Sequence, residues 1–274
     1  MHHFHYKKDK LYCEEVPLSE IAKKVGTPCY IYSAATLDRH LTVFRDAFSP
    51  LPHLVCFAMK SNSNLAILRL VASKGCGVDI VSGGELFRAR TAGIAASKIV
   101  YSGIGKTREE MAYALDCGIR LFNVESEEEL VTLNDVAREK KKKAPVAIRV
   151  NPEIDPKTHP YISTGLKKSK FGVPIAQSLK LYRKSRTLPH LEMKGVSTHI
   201  GSQITKISPF AEALKKVSKF VAQLRKEGFR IDTVDLGGGL GITYADETPP
   251  LPKEYGAALK KELGSLHCTI LFEP

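Results

Sequence analysis

The chain has 274 residues, of which 43% are hydrophobic and 26% are charged, an ordinary globular composition that excludes a disordered chain and allows a large buried core. Its 41 lysine and arginine residues against 29 aspartate and glutamate residues give a net charge of +12, which raises nucleic acid as a possible ligand. The positive charges are spread along helical segments, and the dense run Lys140 to Lys143 closes a predicted helix, so we expect solvated helix ends and no nucleic-acid partner.

Residues 1–53 form an irregular opening segment. In chain order they predict a hairpin of Phe4–Tyr6 and Leu11–Cys13, a short helix capped by Ser19 and ending at Val25, a strand Pro28–Tyr32 and a helix Ala34–Phe48. Two strands alone are marginally stable, and no later segment reads as a sheet that the hairpin could join. The segment therefore predicts a partner structure outside the rest of this chain.

From residue 54 onward, short apolar runs alternate with amphipathic helical patterns. The runs lack polar alternation, as is typical of strands buried on both faces. The eight predicted strands are Leu54–Met59, Gly77–Val81, Ile99–Ser102, Leu121–Val124, Val146–Val150, Gly195–His199, Val234–Leu236 and Thr269–Phe272. The predicted helices are Asn64–Lys74, Gly84–Ala92, Arg108–Cys117, Glu127–Lys140, Ile175–Arg186, Ser208–Glu227 and Pro252–Leu263. This alternation favours a (β/α)8 barrel of the TIM type over an open doubly wound sheet.

The six cysteines form no CxxC pair, and Cys56 and Cys76 lie within apolar runs. Buried free thiols in a reducing compartment therefore fit better than disulfides or a zinc site. The histidines His2, His3 and His5 lack a set of partner ligands, so no metal site is predicted. Charges interrupt every apolar stretch before it reaches the length of a membrane span, and the N-terminus has no signal-peptide core. We expect a cytoplasmic protein with no membrane partner.

Polar residues collect where the predicted strands end, which is where a barrel of this type carries its active site. Lys60 follows the first strand, Asp79 lies in the second, and Arg149, His199 and Glu273 lie at the ends of the fifth, sixth and eighth. A lysine directly after an apolar strand is typical of a Schiff-base lysine. A rim lysine that keeps its charge in water fits the same position.

The seventh strand ends in three glycines, Gly237, Gly238 and Gly239. Glycine lets backbone N–H groups approach an anion closely, as a phosphate loop requires, although a tight turn explains a lone triplet equally well. Ser202, on the neighbouring loop, offers a hydroxyl to the same phosphate. His199 suits either stacking on a flat cofactor ring or a place in the core. Glu273 suits a contact with a ring nitrogen or an ion pair with Arg149.

Taken together, these motifs resemble the diaminopimelate decarboxylases among the alanine-racemase-like enzymes that use pyridoxal phosphate, which are called fold type III. The resemblance runs along essentially the whole chain, and the stretch His159–Gly165 favours diaminopimelate over ornithine or arginine as the substrate. The segments that carry it are His2–Phe4, Cys56–Asn64, Val78–Leu86, Phe122–Ser126, Lys157–Gly165, Lys170–Gly172, His199–Gln203 and Asp235–Gly241.

The resemblance implies roles for particular residues. Lys60 would bind pyridoxal 5'-phosphate covalently and His199 would stack on its ring. Glu273 would contact the ring nitrogen. The phosphate would be held by Ser202, by the glycine loop Gly237, Gly238 and Gly239, and by the loop after Glu273. Asp79 and Arg149 would support the lysine and the ring from behind, and the segment around His159–Thr164 would cover the active site.

The resemblance also implies parts that do not follow Pro274 in this chain. In the family, the motif continues with Gly-Arg, whose arginine holds the substrate, and then with a β domain that contributes a catalytic cysteine and a tyrosine. We therefore expect residues 1–33 to belong to such a β domain and residues 34–274 to be the cofactor-binding barrel. We also expect an incomplete form of a homodimeric enzyme, with poor activity of its own.

The function implied is the decarboxylation of meso-2,6-diaminopimelate to L-lysine. Sibling decarboxylases that act on ornithine, arginine or carboxynorspermidine are an alternative. A non-catalytic barrel that binds pyridoxal phosphate is another, but residues 1–33 argue against it because such proteins lack this opening segment. A regulatory relative without activity is a third, and the presence of Lys60, His199 and Glu273 argues against it.

Overall fold

The first 33 residues form a small antiparallel sheet and a short helix in the computed structural model, which describes residues 2–155 and 171–274. The sheet comprises β1 (Phe4–Lys7), β2 (Lys10–Cys13) and β3 (Val16–Pro17), and it is followed by helices α1 (Leu18–Val25) and α2 (Ala34–Asp46). Phe4 pairs with Cys13 across β1 and β2, which confirms the predicted hairpin. The third strand, β3, extends it.

Two predictions for this segment are wrong. Helix α1 begins at Leu18 and has no side-chain cap, because Pro17 still pairs with Tyr12 in the sheet and the chain enters the helix directly after it. Pro28–Tyr32 forms no strand. No strand in the described part of the chain pairs with it, and Tyr30 is 91% exposed. Its apolar composition alone gives it no sheet to join.

The remainder of the described chain is built on a closed ring of eight parallel strands. They are β4 (His53–Ala58), β5 (Gly77–Ile80), β6 (Ile99–Tyr101), β7 (Leu121–Val124), β8 (Ala144–Asn151), β10 (Leu191–Ser197), β11 (Thr233–Asp235) and β12 (Thr269–Phe272); the short β9 (Val173–Pro174) pairs only with the end of β8. Strand β8 also pairs with β10, and β12 pairs with β4. All eight predicted strands and the TIM-type barrel are therefore confirmed.

Helices follow the strands and cover the outside of the ring. They are α3 (Leu65–Ser73), α4 (Gly83–Thr91), α5 (Arg108–Cys117), α6 (Glu127–Glu139), α7 (Ile175–Ser185), α8 (Ser208–Lys226) and α9 (Pro252–Ser265), with 3-10 turns at Met59–Ser61 and Ala96–Lys98. Local chemistry sets their ends. Thr107 and Glu110 form a reciprocal capping box at the start of α5, and Gly118 ends that helix with a φ of 70°, a conformation that glycine adopts without steric cost.

The ring closes at a seam between β12 and β4. Ile270 pairs with His53 and Phe272 with Val55, and the N–H of Ala58 donates a hydrogen bond of 3.1 Å to the carbonyl oxygen of Pro274. The seam therefore joins residues from the two ends of the barrel sequence.

At one end of the ring, the interior is filled by apolar side chains that are each at most 1% exposed: Cys56, Val100, Leu121, Ala147 and Leu271. They form a floor, above which the strands carry different residues. The larger part of the core lies between the strands and the helices. All six cysteines are free thiols. The expectation of buried thiols is confirmed for Cys56 and Cys76, whereas Cys29 is exposed and Cys117 is half-buried. No helix among the described residues has the length and apolarity needed to cross a bilayer.

Candidate functional site

A polar layer lies directly above the apolar floor. Side chains two positions apart on a strand point to the same face, so the floor residues Leu121, Ala147 and Leu271 place Asn123, Arg149 and Glu273 on the inner face, one level nearer the carboxyl ends of the strands. The layer also contains Asp79 and Asp235, which are 3% and 0% exposed. The strand pattern thus gathers several polar groups at the end of the barrel where active sites form.

Asn123 links two carboxyl groups of this layer. Its Nδ2 donates to Oδ2 of Asp235 at 2.7 Å and lies 3.3 Å from Oε1 of Glu273 and 3.1 Å from Oγ of Ser102. Ser102 Oγ is also 3.3 Å from Oε1 of Glu273. The other carboxylate oxygen of Asp235 accepts the N–H of Gly237 at 2.9 Å. Both oxygens of Asp235 therefore accept hydrogen bonds, whereas Oε1 of Glu273 makes longer contacts with Asn123 and Ser102, and its carboxyl group also lies within hydrogen-bond reach of Asp235.

Burial makes ionisation of the acidic groups costly. Burial raises the pKa of Asp79 to about 7, with the nearby charge of Asp235 acting in the same direction and those of Lys60 and Arg149 opposing it. Burial also raises the pKa of Glu273 well above its ordinary value, assisted by Asp235 and Asp79. Asp79 and Glu273 thus share a site with too little positive charge to ionise both easily.

Lys60 stands at the mouth of the barrel. It lies in the 3-10 turn that follows β4, directly after the buried Met59, and its side chain is exposed. Its positive charge acts on both Asp79 and His199. An exposed amine at the mouth of the barrel is accessible to an incoming aldehyde.

His199 is half-buried and follows β10. Burial, with the charges of Arg149 and Lys60, lowers the pKa of its imidazole to about 3, so the ring is neutral near pH 7. The N–H of Gly238 donates to its Nδ1 at 3.1 Å. An acceptor at Nδ1 fixes the tautomer with the proton on Nε2. His199 therefore presents a neutral flat ring beside the glycine loop.

The glycine loop can only be built from glycine. A Cβ at Gly238 would lie 2.1 Å from the carbonyl oxygen of Glu273, and a Cβ at Gly239 would lie 2.1 Å from that of Gly201, where the φ of 107° is also unfavourable for other residues. These close approaches bring the ends of β10, β11 and β12 together. Ser202 is exposed on the loop that follows β10.

Arg149 is held by a buried network. Its guanidinium Nη1 donates to Oε1 of Glu125 at 3.0 Å, and the two side chains are 11% and 1% exposed. The backbone N–H of Glu125 donates to Glu129, whose other carboxylate oxygen accepts from the fully buried ammonium of Lys106 at 2.7 Å. The alternative in which Glu273 pairs with Arg149 is wrong, because Glu125 takes that place.

The structure thus collects most residues nominated from the sequence. Lys60, Asp79, Arg149, His199 and Glu273 lie within electrostatic reach of one another, and Gly237, Gly238 and Gly239 border His199 and Glu273. Ser202 lies on the adjoining loop, and no contact of its hydroxyl supports or opposes the predicted role. The predicted cover around His159–Thr164 lies outside the described residues, as does the motif Lys157–Gly165.

The sequence reasoning missed Asn123, Asp235 and Glu125. A signal was present in each case, because a polar residue within or directly after an apolar run is costly to bury without a partner. Asn123 and Asp235 occupy inner-face positions of their strands, and Glu125 follows β7. Their contacts were hidden because the partners are distant in sequence, as for Asn123 and Glu273, which are 150 residues apart.

Two features of the site are not satisfied by the described residues: buried oxygen atoms without a hydrogen bond, and more acidic groups than nearby cations. Oδ1 of Asp79 and Oδ1 of Asn123 are buried and have no hydrogen-bond partner among the described residues. The acidic groups Asp79, Asp235 and Glu273 also outnumber the nearby cations Lys60 and Arg149, and Arg149 is already paired with Glu125. A ligand that brings an aldehyde, an anionic group and a protonated ring nitrogen fits the amine, the glycine loop and the acidic layer.

Comparison with known proteins gives a consistent result. Residues 34–274 match the family model described as the pyridoxal binding domain of pyridoxal-dependent decarboxylases. The diaminopimelate decarboxylase of Haemophilus influenzae is 48% identical over 275 residues, covering 100% of this chain and 66% of the relative. That of Pseudomonas aeruginosa is 49% identical over 271 residues, covering 99% and 65%.

Solved structures agree with these relatives. Diaminopimelate decarboxylase from Helicobacter pylori complexed with L-lysine superposes with a TM-score of 0.91 at 40% identity, over 94% of this chain and 65% of that one. The enzyme from M. jannaschii in co-complex with L-lysine superposes with a TM-score of 0.91 at 38% identity, over 99% and 66%. The chain therefore spans slightly less than two thirds of the length of these relatives.

Proposed function

Because the chain belongs to the family of pyridoxal-dependent decarboxylases and carries its pyridoxal binding domain, we propose that it acts in the decarboxylation of meso-2,6-diaminopimelate to L-lysine. One observation carries the proposal. An exposed lysine amine, a neutral histidine ring, a glycine loop and a buried acidic layer meet at the carboxyl ends of the barrel strands. Relatives that are 48% and 49% identical are diaminopimelate decarboxylases, which supports the choice of substrate.

The residues present fit pyridoxal 5'-phosphate. Lys60 would hold the cofactor covalently, the neutral ring of His199 would lie against its face, and backbone N–H groups of Gly237 to Gly239 with the hydroxyl of Ser202 would bind its phosphate. When bound, this cofactor supplies a conjugated ring that accepts the electron pair released as the α-carboxylate leaves. Each of these assignments is part of the proposal.

The acidic layer would control a proton on the ring nitrogen. Glu273, whose carboxyl contacts Asn123 and Ser102, would accept a hydrogen bond from that nitrogen. A protonated nitrogen would favour the ionised forms of Glu273 and Asp79, whose negative charge would in turn favour the proton on the nitrogen. Arg149, held in place by Glu125, would supply positive charge close to Asp79 and Glu273. The positive charge of the free Lys60 amine would favour the ionised form of Asp79.

The substrate is tested with the protein loaded with pyridoxal phosphate. Titration with meso-diaminopimelate, L-ornithine and L-arginine is followed by cofactor absorbance, and carbon dioxide release is measured in the same samples. We expect diaminopimelate to be preferred by roughly 10²-fold or more, as in sites that recognise a substrate's polar groups. A preference for ornithine or arginine would favour the sibling decarboxylases, and cofactor binding without a change in cofactor absorbance on addition of any of the three would contradict the proposal.

Replacing Glu273 by glutamine is expected to slow the chemical step more than it weakens cofactor binding. Glutamine keeps the shape but loses a charge-assisted hydrogen bond to the ring nitrogen, which is worth about 1.5–3 kcal/mol. In a chain that also carries the family's part beyond Pro274, we expect kcat to fall roughly 10- to 150-fold, with a smaller change in the Kd for pyridoxal phosphate. Glu212→Gln, an exposed substitution on α8, is the control. An unchanged kcat would show that Glu273 has another role.

Three further points are part of the same proposal. Residues 1–33 would be a unit distinct from the barrel of residues 34–274, in keeping with the separate antiparallel sheet β1–β3 and with the start of the family match at residue 34. The protein would act in the cytoplasm. It would function as a homodimer, which light scattering of the loaded protein tests.

A further inference from the structure

The two loops that carry the proposed phosphate site are joined along their length. The N–H of Ile204 donates to the carbonyl oxygen of Gly239 at 2.8 Å, and the N–H of Gly241 donates to the carbonyl oxygen of Ile204 at 3.0 Å. Ile204 and Leu240 form a parallel bridge. The loop after β10 and the loop after β11 therefore move as one unit wherever these bonds hold.

Gln203 extends this junction with its side chain. Its Oε1 accepts the N–H of Ile242 at 2.9 Å, and its Nε2 donates to the carbonyl oxygen of the same residue. One side-chain amide thus satisfies both backbone groups of Ile242, as a neighbouring strand would. Ile242 is 59% exposed, and the chain beyond it turns back on itself through bonds to Glu247. Of the contacts described between the two loops, those of Gln203 involve the residue farthest along the chain from β11, which is Ile242.

The backbone at Gln203 is also unusual. Its φ is 54°, in the left-handed region that residues other than glycine rarely adopt. Unfavourable backbone angles of this kind persist where surrounding contacts demand them, and they cluster at ligand sites. At Gln203, the contacts that accompany this conformation are the hydrogen bonds of its side-chain amide to Ile242. The preceding residue, Ser202, is exposed at the rim.

We propose that Gln203 is a positioning residue for the phosphate site, which holds the glycine loop against the loop of Ser202 so that both present their donors to one phosphate. This inference rests on the proposed function. Both hydrogen bonds described for the Gln203 side chain go to Ile242 and none goes to Lys60, His199 or the acidic layer. Its effect is therefore confined to ligands that carry a phosphate group.

The test compares two ligands that differ only in the phosphate, pyridoxal 5'-phosphate and pyridoxal. Gln203→Met keeps the length of the side chain and removes both hydrogen bonds. Gln203→Gly removes them too and relieves the left-handed backbone, so it serves if the methionine variant folds poorly. Gln223→Met, at an exposed position on α8, is the matched control. The dissociation constants of both ligands and the thermal unfolding of the ligand-free protein are measured for each.

We expect both Gln203 variants to bind pyridoxal phosphate about tenfold more weakly, because binding must then draw the two loops together without the Gln203 bonds. Pyridoxal binding should stay unchanged, and the ligand-free Tm should fall by no more than roughly 2–4 °C, because the lost contact lies at the surface. An unchanged affinity for pyridoxal phosphate, or an equal loss for both ligands, would overturn the inference while leaving the proposed function intact. A native protein that binds no pyridoxal phosphate would overturn both.

Discussion

Replacing Lys60 by alanine is expected to abolish the covalent attachment of pyridoxal phosphate and to lower any turnover by roughly 10²–10⁴-fold, the range for a positioned group that transfers protons. Lys60 is exposed at the mouth of the barrel, and its charge acts on Asp79 and His199. Lys106, also near the rim, is instead fully buried and bound to Glu129. The ammonium of Lys106 is therefore already ion-paired, whereas the side chain of Lys60 is exposed at the mouth of the barrel.

The measurement is borohydride reduction of the loaded protein followed by peptide mass mapping. In the native protein the label should fall on the peptide that contains Lys60, and in Lys60→Ala no peptide should carry it. Lys206→Ala removes an exposed lysine from the loop after β10 and should leave the labelling unchanged. Label on any lysine other than Lys60 in the native protein would refute the assignment.

The second large effect concerns stability and pH at Asp79. Burial raises the pKa of its carboxyl from 3.8 to about 7, so the folded chain holds this proton more tightly than the unfolded chain. The stabilisation is fully present below about pH 4 and is lost as the pH rises to about 7. Three pH units correspond to at most about 4 kcal/mol. His199 acts in the opposite direction, because its lowered pKa means that stability rises with pH up to about 6.5.

Asp79→Asn isolates the first effect, since asparagine resembles the protonated acid at every pH. Relative to the native protein, the variant should have about the same free energy of unfolding near pH 4 and should be more stable at pH 8 by up to about 4 kcal/mol. Urea unfolding of the ligand-free proteins at both pH values measures this. Asp116→Asn, at an exposed aspartate paired with Lys140, should show no such gain at pH 8. A difference between Asp79→Asn and the native protein that stays constant with pH would mean that Asp79 is ionised throughout.

The barrel could be predicted because each strand carries its own evidence. A run such as Leu54–Met59 is apolar and ends at a polar residue, and burial on both faces is a property that the local sequence records. The rim residues were found by the same reasoning, since Lys60 and Glu273 directly follow strands. Pro28–Tyr32 shows the limit of this reasoning. Its composition suits a strand, but a strand also needs a neighbour, which is a property of the whole fold.

The interior contacts could not be predicted in the same way. Asn123 and Asp235 are single polar residues in otherwise apolar strands, and nothing near either one in the sequence indicates the other. Their meeting depends on the ring closing with one particular register, which places 123 beside 235 and 273. The pairing of Arg149 with Glu125 is hidden for a similar reason, because several acids were equally plausible partners until the strands were in place.

The seam between β12 and β4 has a consequence for how the protein folds. Lys60 follows one side of the seam and Glu273 follows the other, so the proposed cofactor site cannot form until the first and last barrel strands have paired. Contacts between such distant parts of a chain form slowly, and during synthesis β4 must wait for β12 to be made. A ligand that binds only the closed ring stabilises it by mass action. The supply of pyridoxal phosphate would then govern how long newly made chains stay open to proteases and to aggregation.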